Sequence, residues 1–295
     1  MLGCGPPRDL LASLAMTTII IPAHDESTVI RKSLDGLTGG PTETDWTSDY
    51  AIIVVCNGCT DDTAHICREY AGVQVVETEI GNKANAMKLG DEHAESFPRI
   101  YFDADIVTDR ASMVKLADVL KSGEADLAAP AIQMDYEGCT FFVRGFYKVW
   151  TELPYFKEQL IGAGLYAMSE KGKETVGVTP DLYSEDEYIR LMFPKERRKV
   201  VKDAWFRIRP PNNLKSLIKI RSRHQRGNYQ LQSLYPELWA KKEPVAGMLP
   251  TVIRRPDLWP WLVPYTVVVM ITRANGYYQL RNLSKVKWDK DTSSR

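Results

Sequence analysis

Four short apolar runs constrain this chain more than any other feature: residues 16–21 (MTTIII), 50–55, 73–76 and 100–102. They are rich in β-branched residues and continuous rather than alternating, the mark of strands covered on both faces. Segments with helical spacing separate them. Val29, Ile30, Ser33, Leu34 and Leu37 share one face, residues 56–62 turn into a second helix, and Gly81 to Ala86 open a third that runs to His93. The alternation predicts an α/β fold, a Rossmann-related open and mostly parallel sheet flanked by helices. Pro22 is expected to end the first strand. Ligands of such sheets collect beyond the carboxyl ends of the strands, where Asp25, Asn57 and Asp105 fall. Neither a Gly-x-Gly-x-x-Gly nor a P-loop is present, so dinucleotide and P-loop readings lack their supports.

The stretch 99–109 (RIYFDADIVTD) is the pivot. Its apolar start reads as a buried strand delivering Asp103 and Asp105 to a mouth. Two residues apart on an extended strand end, the carboxylates lie on one side and can share a small cation, Mn²⁺ or Mg²⁺. The plain alternative is a turn or helix cap. Beyond it, residues 110–121 read as a helix with Met113, Leu116, Ala117 and Leu120 inward, and 127–133 as a strand. Residues 162–168 read as a glycine-rich turn and strand, 184–192 as a helix stopped by Pro194, and 200–208 as a strand. Residues 213–235 have partly helical spacing and carry a basic run that includes Arg223, His224 and Arg226.

Acidic and basic residues balance at 38 each, which gives no global field for nucleic acid. Five irregularly spaced cysteines do not resemble a disulfide framework and favour a reduced, cytoplasmic chain. The first residues make a poor signal peptide and read as a frayed lead-in. Residues 258–272 are apolar but too short to span a bilayer. Trp259, Trp261 and Tyr265 there suit either a packed element or a peripheral contact with the cytoplasmic face of a membrane.

Taken together, several pieces resemble family-2 glycosyltransferases of the GT-A fold. They are Ile19-Ile20-Ile21-Pro22-Ala23-His24-Asp25-Glu26, Val54-Val55-Cys56-Asn57-Gly58-Cys59-Thr60-Asp61-Asp62-Thr63, Gly81-x-Lys83-x-Asn85-Ala86 and Phe102-Asp103-Ala104-Asp105. The stretch 162–168, Glu185-Asp186 and Arg223-His224-Gln225-Arg226-Gly227 follow in the family's order. The resemblance implies a nucleoside-diphosphate-sugar donor, UDP- or dTDP-linked, bound across the first half. Its base-recognition residues map to Pro22, Asp25 or Glu26, Asn57 and Lys83, and its Asp-x-Asp to Asp103 and Asp105. The catalytic base of inverting members maps to Asp186, with Glu185 as the alternate. Asn57 stands where an aspartate is usual and Cys59 where a serine is. An Arg-Trp pair is replaced by Arg223-His224, which makes His224 a candidate metal or diphosphate ligand, while Arg223 and Arg226 suit phosphate.

On this reading residues 1–16 are a lead-in, 17–109 the nucleotide-sugar half, 110–235 the acceptor and catalytic half, and 236–295 a C-terminal extension. The activity expected is metal-dependent transfer of a sugar to a hydroxyl of a small molecule, glycan or lipid-linked acceptor, with inversion. Gly162, Gly164, Trp150 and Trp205 are expected on the acceptor side, and Tyr155, Phe156 and Trp239 are further aromatic candidates there. Rival readings are a nucleotidyltransferase, a redox protein using Cys56 and Cys59, a zinc site adding His65 and Cys67, and a non-enzymatic binding module.

Overall fold

A computed structural model describes residues 17–153, 156, 164–242 and 252–281. The four apolar runs form β1 (Thr17–Ala23), β2 (Tyr50–Asn57), β3 (Gln74–Thr78) and β4 (Arg99–Phe102). Helices α1 (Ile30–Thr38), α2 (Thr63–Arg68) and α3 (Lys83–His93) connect them. The second half adds β5 (Val107–Thr108), α4 (Arg110–Lys121), β6 (Leu127–Met134), α5 (Phe141–Trp150), β7 (Leu165–Met168) and α6 (Glu170–Val176). It continues through α7 (Glu185–Met192), β8 (Arg198–Ile208), α8 (Leu214–Leu234), α9 (Pro236–Trp239) and α10 (Trp259–Arg281).

The strands make one sheet in the order β3-β2-β1-β4-β7-β6-β8-β5. β3, β2, β1 and β4 are parallel, and β7 runs antiparallel to both β4 and β6. The sheet is therefore mixed, with its parallel part where the sequence places it. Ile19, Ile20 and Ile21 are fully buried, with Ile19 and Ile21 in the cluster that includes α1 and α4 and Ile20 in the cluster that includes Met87 of α3. Two-sided cover explains the continuous apolar reading.

Pro22 does not end β1 but pairs in register with Val55. It is tolerated because β4 pairs with β1 only through Ile20. All of the apolar segment 258–272 but Leu258, which closes a short 3-10 turn, forms the start of α10, and α10 packs on α8 and α5. Phe146 of α5 stacks on Tyr265 of α10 with ring centroids 5.3 Å apart. No helix of the described residues is long and apolar enough to cross a membrane. Gly162, Tyr155, the lead-in and the charged tail lie outside the described residues.

Candidate active site

The strand ends and α3, α7, α8 and α10 enclose one cleft of about 1810 Å³. Asp103 and Asp105 reach it from a tight turn, not from an extended strand end. Ile106 N–H closes that turn on the Asp103 carbonyl at 3.1 Å. Ala104 and Ile106 are buried, while Asp105 is exposed and Asp103 half-buried. The turn is fixed from two sides. The Ser33 hydroxyl of α1 lies 2.7 and 2.6 Å from the carbonyls of Ala104 and Ile106 and donates between them. Asp103 N–H donates to the Gly164 carbonyl at 2.8 Å. Gly164 has φ +98°, and a Cβ there would meet Asp103 Oδ2 at 3.0 Å, so a side chain would crowd the carboxylate.

Glu185 and Asp186 open α7, and the packing of α7 on α8 sets their position. A Cβ on Gly227 of α8 would lie 2.1 Å from the Ser184 hydroxyl, so glycine is what lets the α7 N-terminus approach. Asp186 Oδ1 accepts the Glu187 N–H at 2.8 Å. Glu187 itself belongs to a structural group. It pairs with fully buried Arg190 at 2.8 Å and with Lys242 at 2.6 Å.

Lys83, the first residue of α3, joins the two acidic pairs. Its Nζ lies 2.8 Å from Asp103 Oδ1 and 2.8 Å from Glu185 Oε1. Burial alone would lower the Lys83 pKa, but the two carboxylates raise it, so the ammonium persists. Burial and Asp186 raise the Glu185 pKa against the pull of Lys83. His224 also lines the cleft. Burial and the neighbouring Arg221 and Arg223 hold its pKa down to about 3, which keeps the imidazole neutral and able to donate a lone pair.

The remaining expected residues divide. Pro22, Glu26, Asn57, Lys83, Asp103, Asp105, Arg223, Gly164 and Trp150 line the cleft, as does Trp239. Asp25 does not. It adopts φ 50°, and its carboxylate accepts the Thr60 N–H at 2.7 Å. Asn57 reaches the cleft, but its amide nitrogen donates to the Ala23 carbonyl at 2.7 Å and so ties β2 to β1. Arg226 is turned away from the cleft. It is 3% exposed, stacks 4.0 Å over the Tyr183 ring, and leaves Nε and Nη1 without a hydrogen-bond partner among the described residues. Trp205 lies on β8 beside α4, where its indole donates to Asp109 at 3.0 Å, and it does not line the cleft.

The cysteine readings meet opposing chemistry. The hydrogen bond from Cys59 favours the Cys56 thiolate, but Cys67 and burial outweigh it and push the pKa up to about 12. Cys59 is also raised, by Cys56 and burial. Neither is an activated nucleophile. Among the described residues, three ligand atoms within 4.8 Å of one another occur at Asp25, Cys59 and Asp61, and neither at the set with His65 and Cys67 nor at Asp103, Asp105 and His224. The two carboxylates of that group already accept backbone N–H groups from Thr60, Ser27 and Thr63.

Several cleft residues escape sequence reasoning. His24 bonds the Asn57 carbonyl through Nδ1 at 2.6 Å. Tyr166 of β7 stacks on Tyr101 at 5.0 Å, and its buried hydroxyl has no hydrogen-bond partner among the described residues. Arg221 and Arg273 approach from α8 and α10. Alternation within β7 could have placed Tyr166 on one face, but nothing local identifies that face as the site.

The sequence profile of glycosyl transferase family 2 matches residues 18–169, just over half the chain. No curated protein sequence matches it. Among solved structures, the mannosyltransferase PcManGT from Pyrobaculum calidifontis, in complex with GDP-Man and Mn²⁺, is similar with a TM-score of 0.62. That likeness covers 92% of this chain and 88% of that one at 18% identity. Glucosyl-3-phosphoglycerate synthase from Mycobacterium tuberculosis, in complex with Mn²⁺, UDP and glucosyl-3-phosphoglycerate, gives a TM-score of 0.53. There the coverage is 79% of this chain and 86% of the other, at 16% identity. At such identities the likeness is one of fold.

Proposed function

Because the chain belongs to glycosyl transferase family 2 and has the GT-A fold, and is therefore a glycosyltransferase, we propose the following reaction. A hexose-type sugar moves from a UDP- or dTDP-linked donor to an acceptor hydroxyl, with inversion at the anomeric carbon. The observation that carries this reading is the Lys83 bridge, which ties Asp103 on the donor side to Glu185 on the catalytic side within one cleft.

The donor's base sits at the end of the cleft lined by Pro22, Glu26 and Asn57. Asp105, Asp103 and neutral His224 line the same cleft and are the residues that would hold Mn²⁺ or Mg²⁺, an oxygen-rich set with one nitrogen whose ligand atoms do not all lie within 4.8 Å of one another in this structure. When bound, such an ion offsets the negative charge that grows on the departing nucleoside diphosphate. Arg223 adds a fixed cation beside His224. Asp186 takes the acceptor proton as the hydroxyl attacks, its orientation held by the Glu187 N–H. Glu185, kept in place by Lys83, keeps that ammonium between the two acidic groups. The Tyr166 hydroxyl, buried without a hydrogen-bond partner among the described residues, suits a hydroxyl of the donor sugar.

Residues 17–109 serve as the donor half and 110–235 as the acceptor half, with the 236–295 extension contributing α10 to the acceptor wall. The same reading keeps the enzyme in the cytoplasm. Exposed Trp259, Val263, Val267 and Met270 of α10 suit a peripheral contact with a membrane's cytoplasmic face.

The test is a panel of nucleoside-diphosphate sugars assayed for nucleoside-diphosphate release with and without Mn²⁺. Metal-dependent release from one donor is expected, and Asp105→Ala should lower it by about 10² to 10³-fold. Pyrophosphate release from a nucleoside triphosphate and a sugar phosphate would instead support the nucleotidyltransferase. Unchanged turnover in Asp105→Ala would reject the assignment.

A further inference from the structure

The cations of the cleft are not equivalent. Lys83 is tied to Asp103 and Glu185, Arg209 to Asp135 at 3.2 Å, and Lys242 to Glu187 at 2.6 Å. Arg221 and Arg273 differ: neither has a carboxylate or hydrogen-bonding partner among the described residues. The Arg221 guanidinium lies instead against two aromatic rings, 5.5 Å from the Phe146 centroid and 5.1 Å from that of Trp150. Both arginines also act on Tyr265, where they oppose the upward push of burial on the phenol's pKa. Two cations on different helices thus line the same cleft as Tyr265.

A guanidinium held against aromatic rings keeps its outward N–H groups free for an oxyanion. Arg221 is half-buried without a counter-ion, which is costly, and a charged ligand offsets that cost; Arg273 is exposed and lines the same cleft. The surrounding wall is apolar, made of Phe146, Tyr147, Trp150, Leu153, Tyr265 and Val269. Arg221 lies one helical turn before His224 on α8, so this wall adjoins the transfer site rather than the base end of the cleft.

We propose that Arg221 and Arg273 bind the phosphate-type oxyanion of the acceptor, and that Phe146, Trp150, Tyr265 and Val269 take an apolar chain attached to it. The acceptor is then an anionic amphiphile, presented with its charged end toward Asp186. This assignment of the acceptor rests on the transferase reading, but the subsite itself can be tested without turnover.

The probes are dodecyl phosphate, dodecyl maltoside with the same chain and no charge, and glycerol 3-phosphate with the charge and no chain. Binding to the full chain is measured by tryptophan fluorescence below the micellar concentration. Dodecyl phosphate should bind at least tenfold more tightly than either other probe. The double variant Arg221→Gln, Arg273→Gln should erase that preference, while Arg221→Lys, Arg273→Lys should retain most of it and so control for folding. Equal binding of dodecyl maltoside would overturn the oxyanion subsite, and equal binding of glycerol 3-phosphate would overturn the apolar chain. UDP and GDP affinities, measured with Mn²⁺ on the same samples, should change less than twofold in the glutamine variant. If they collapse while dodecyl phosphate binding persists, the arginines serve the donor diphosphate and the proposal is overturned. Failure of every nucleotide to bind the unmodified protein would sink the transferase reading, while the dodecyl phosphate arms would still decide the subsite.

Discussion

Two neighbouring parts of the cleft handle charge in opposite ways. Around the acidic pairs, Lys83 bridges Asp103 and Glu185, and Glu187 is paired with Arg190 and Lys242. At the adjoining wall, Arg221 rests against two aromatic rings and Arg273 of α10 is exposed, neither with a carboxylate partner among the described residues. A closed network fixes geometry before a substrate arrives, because each charge already has a directed partner. An open cation on an apolar wall fixes little by itself and draws its counter-charge from a ligand. The contrast separates a part of the site built to be rigid from a part built to receive.

Four substitutions test the closed part. The largest effect is expected for Asp186→Ala. Loss of a general base costs about 10² to 10⁴-fold in turnover, and donor affinity measured by titration should stay within a few fold. Turnover preserved in that variant would move the base elsewhere. Glu187→Gln comes next, acting on stability. Burial alone would raise this carboxyl, but Arg190 and Lys242 hold it at about 2, against 4.5 as its ordinary value. A depressed carboxylate stabilises the fold above its unfolded pKa, and that contribution is lost as pH falls from about 4.5 toward 2. The gap corresponds to about 3 kcal/mol. Urea melts should show the variant less stable by about that amount at pH 7, with the difference shrinking at pH 3.

Lys83→Met should be milder, about tenfold to a hundredfold in turnover. It leaves Asp103 and Glu185 facing each other without the intervening charge. If the variant keeps full activity, the closed network does not organise the site. Tyr166→Phe should show the smallest change, about threefold to tenfold in kcat/KM for the donor. That is the worth of one neutral hydrogen bond to a sugar hydroxyl. An unchanged kcat/KM would remove the tyrosine from sugar recognition.

The halves also differ in how far they can be read from the chain. β1 to β4 and their helices follow from continuous apolar runs and helical spacing, since two-sided burial writes itself into every residue of a strand. Asp103, Asp105, Glu185 and Asp186 were legible as acids at element ends, and all four do line one cleft. Side-chain direction was not. Asp25 and Glu26 are equivalent in sequence, yet a left-handed backbone at Asp25 turns its carboxylate to Thr60 while Glu26 lines the cleft. Arg223 and Arg226 share a basic helix, but the packing of α8 against Tyr183 sends only Arg223 inward. Trp205 illustrates the same limit: an aromatic side chain announces burial, not which cavity it faces.

By itself, then, the sequence determined the parallel half-sheet, the order of its helices and the acidic residues carried at its mouths, because each of these leaves a local periodic or capping signature. Tertiary structure alone decided the antiparallel insertion of β7, the reach of Lys83 across the cleft, and the wall formed by α5, α8 and α10. These depend on contacts between segments far apart in the chain, such as Lys83 with Glu185 and α5 with α10. Such contacts are selected by packing and charge pairing in three dimensions, and they leave no periodic trace along the chain.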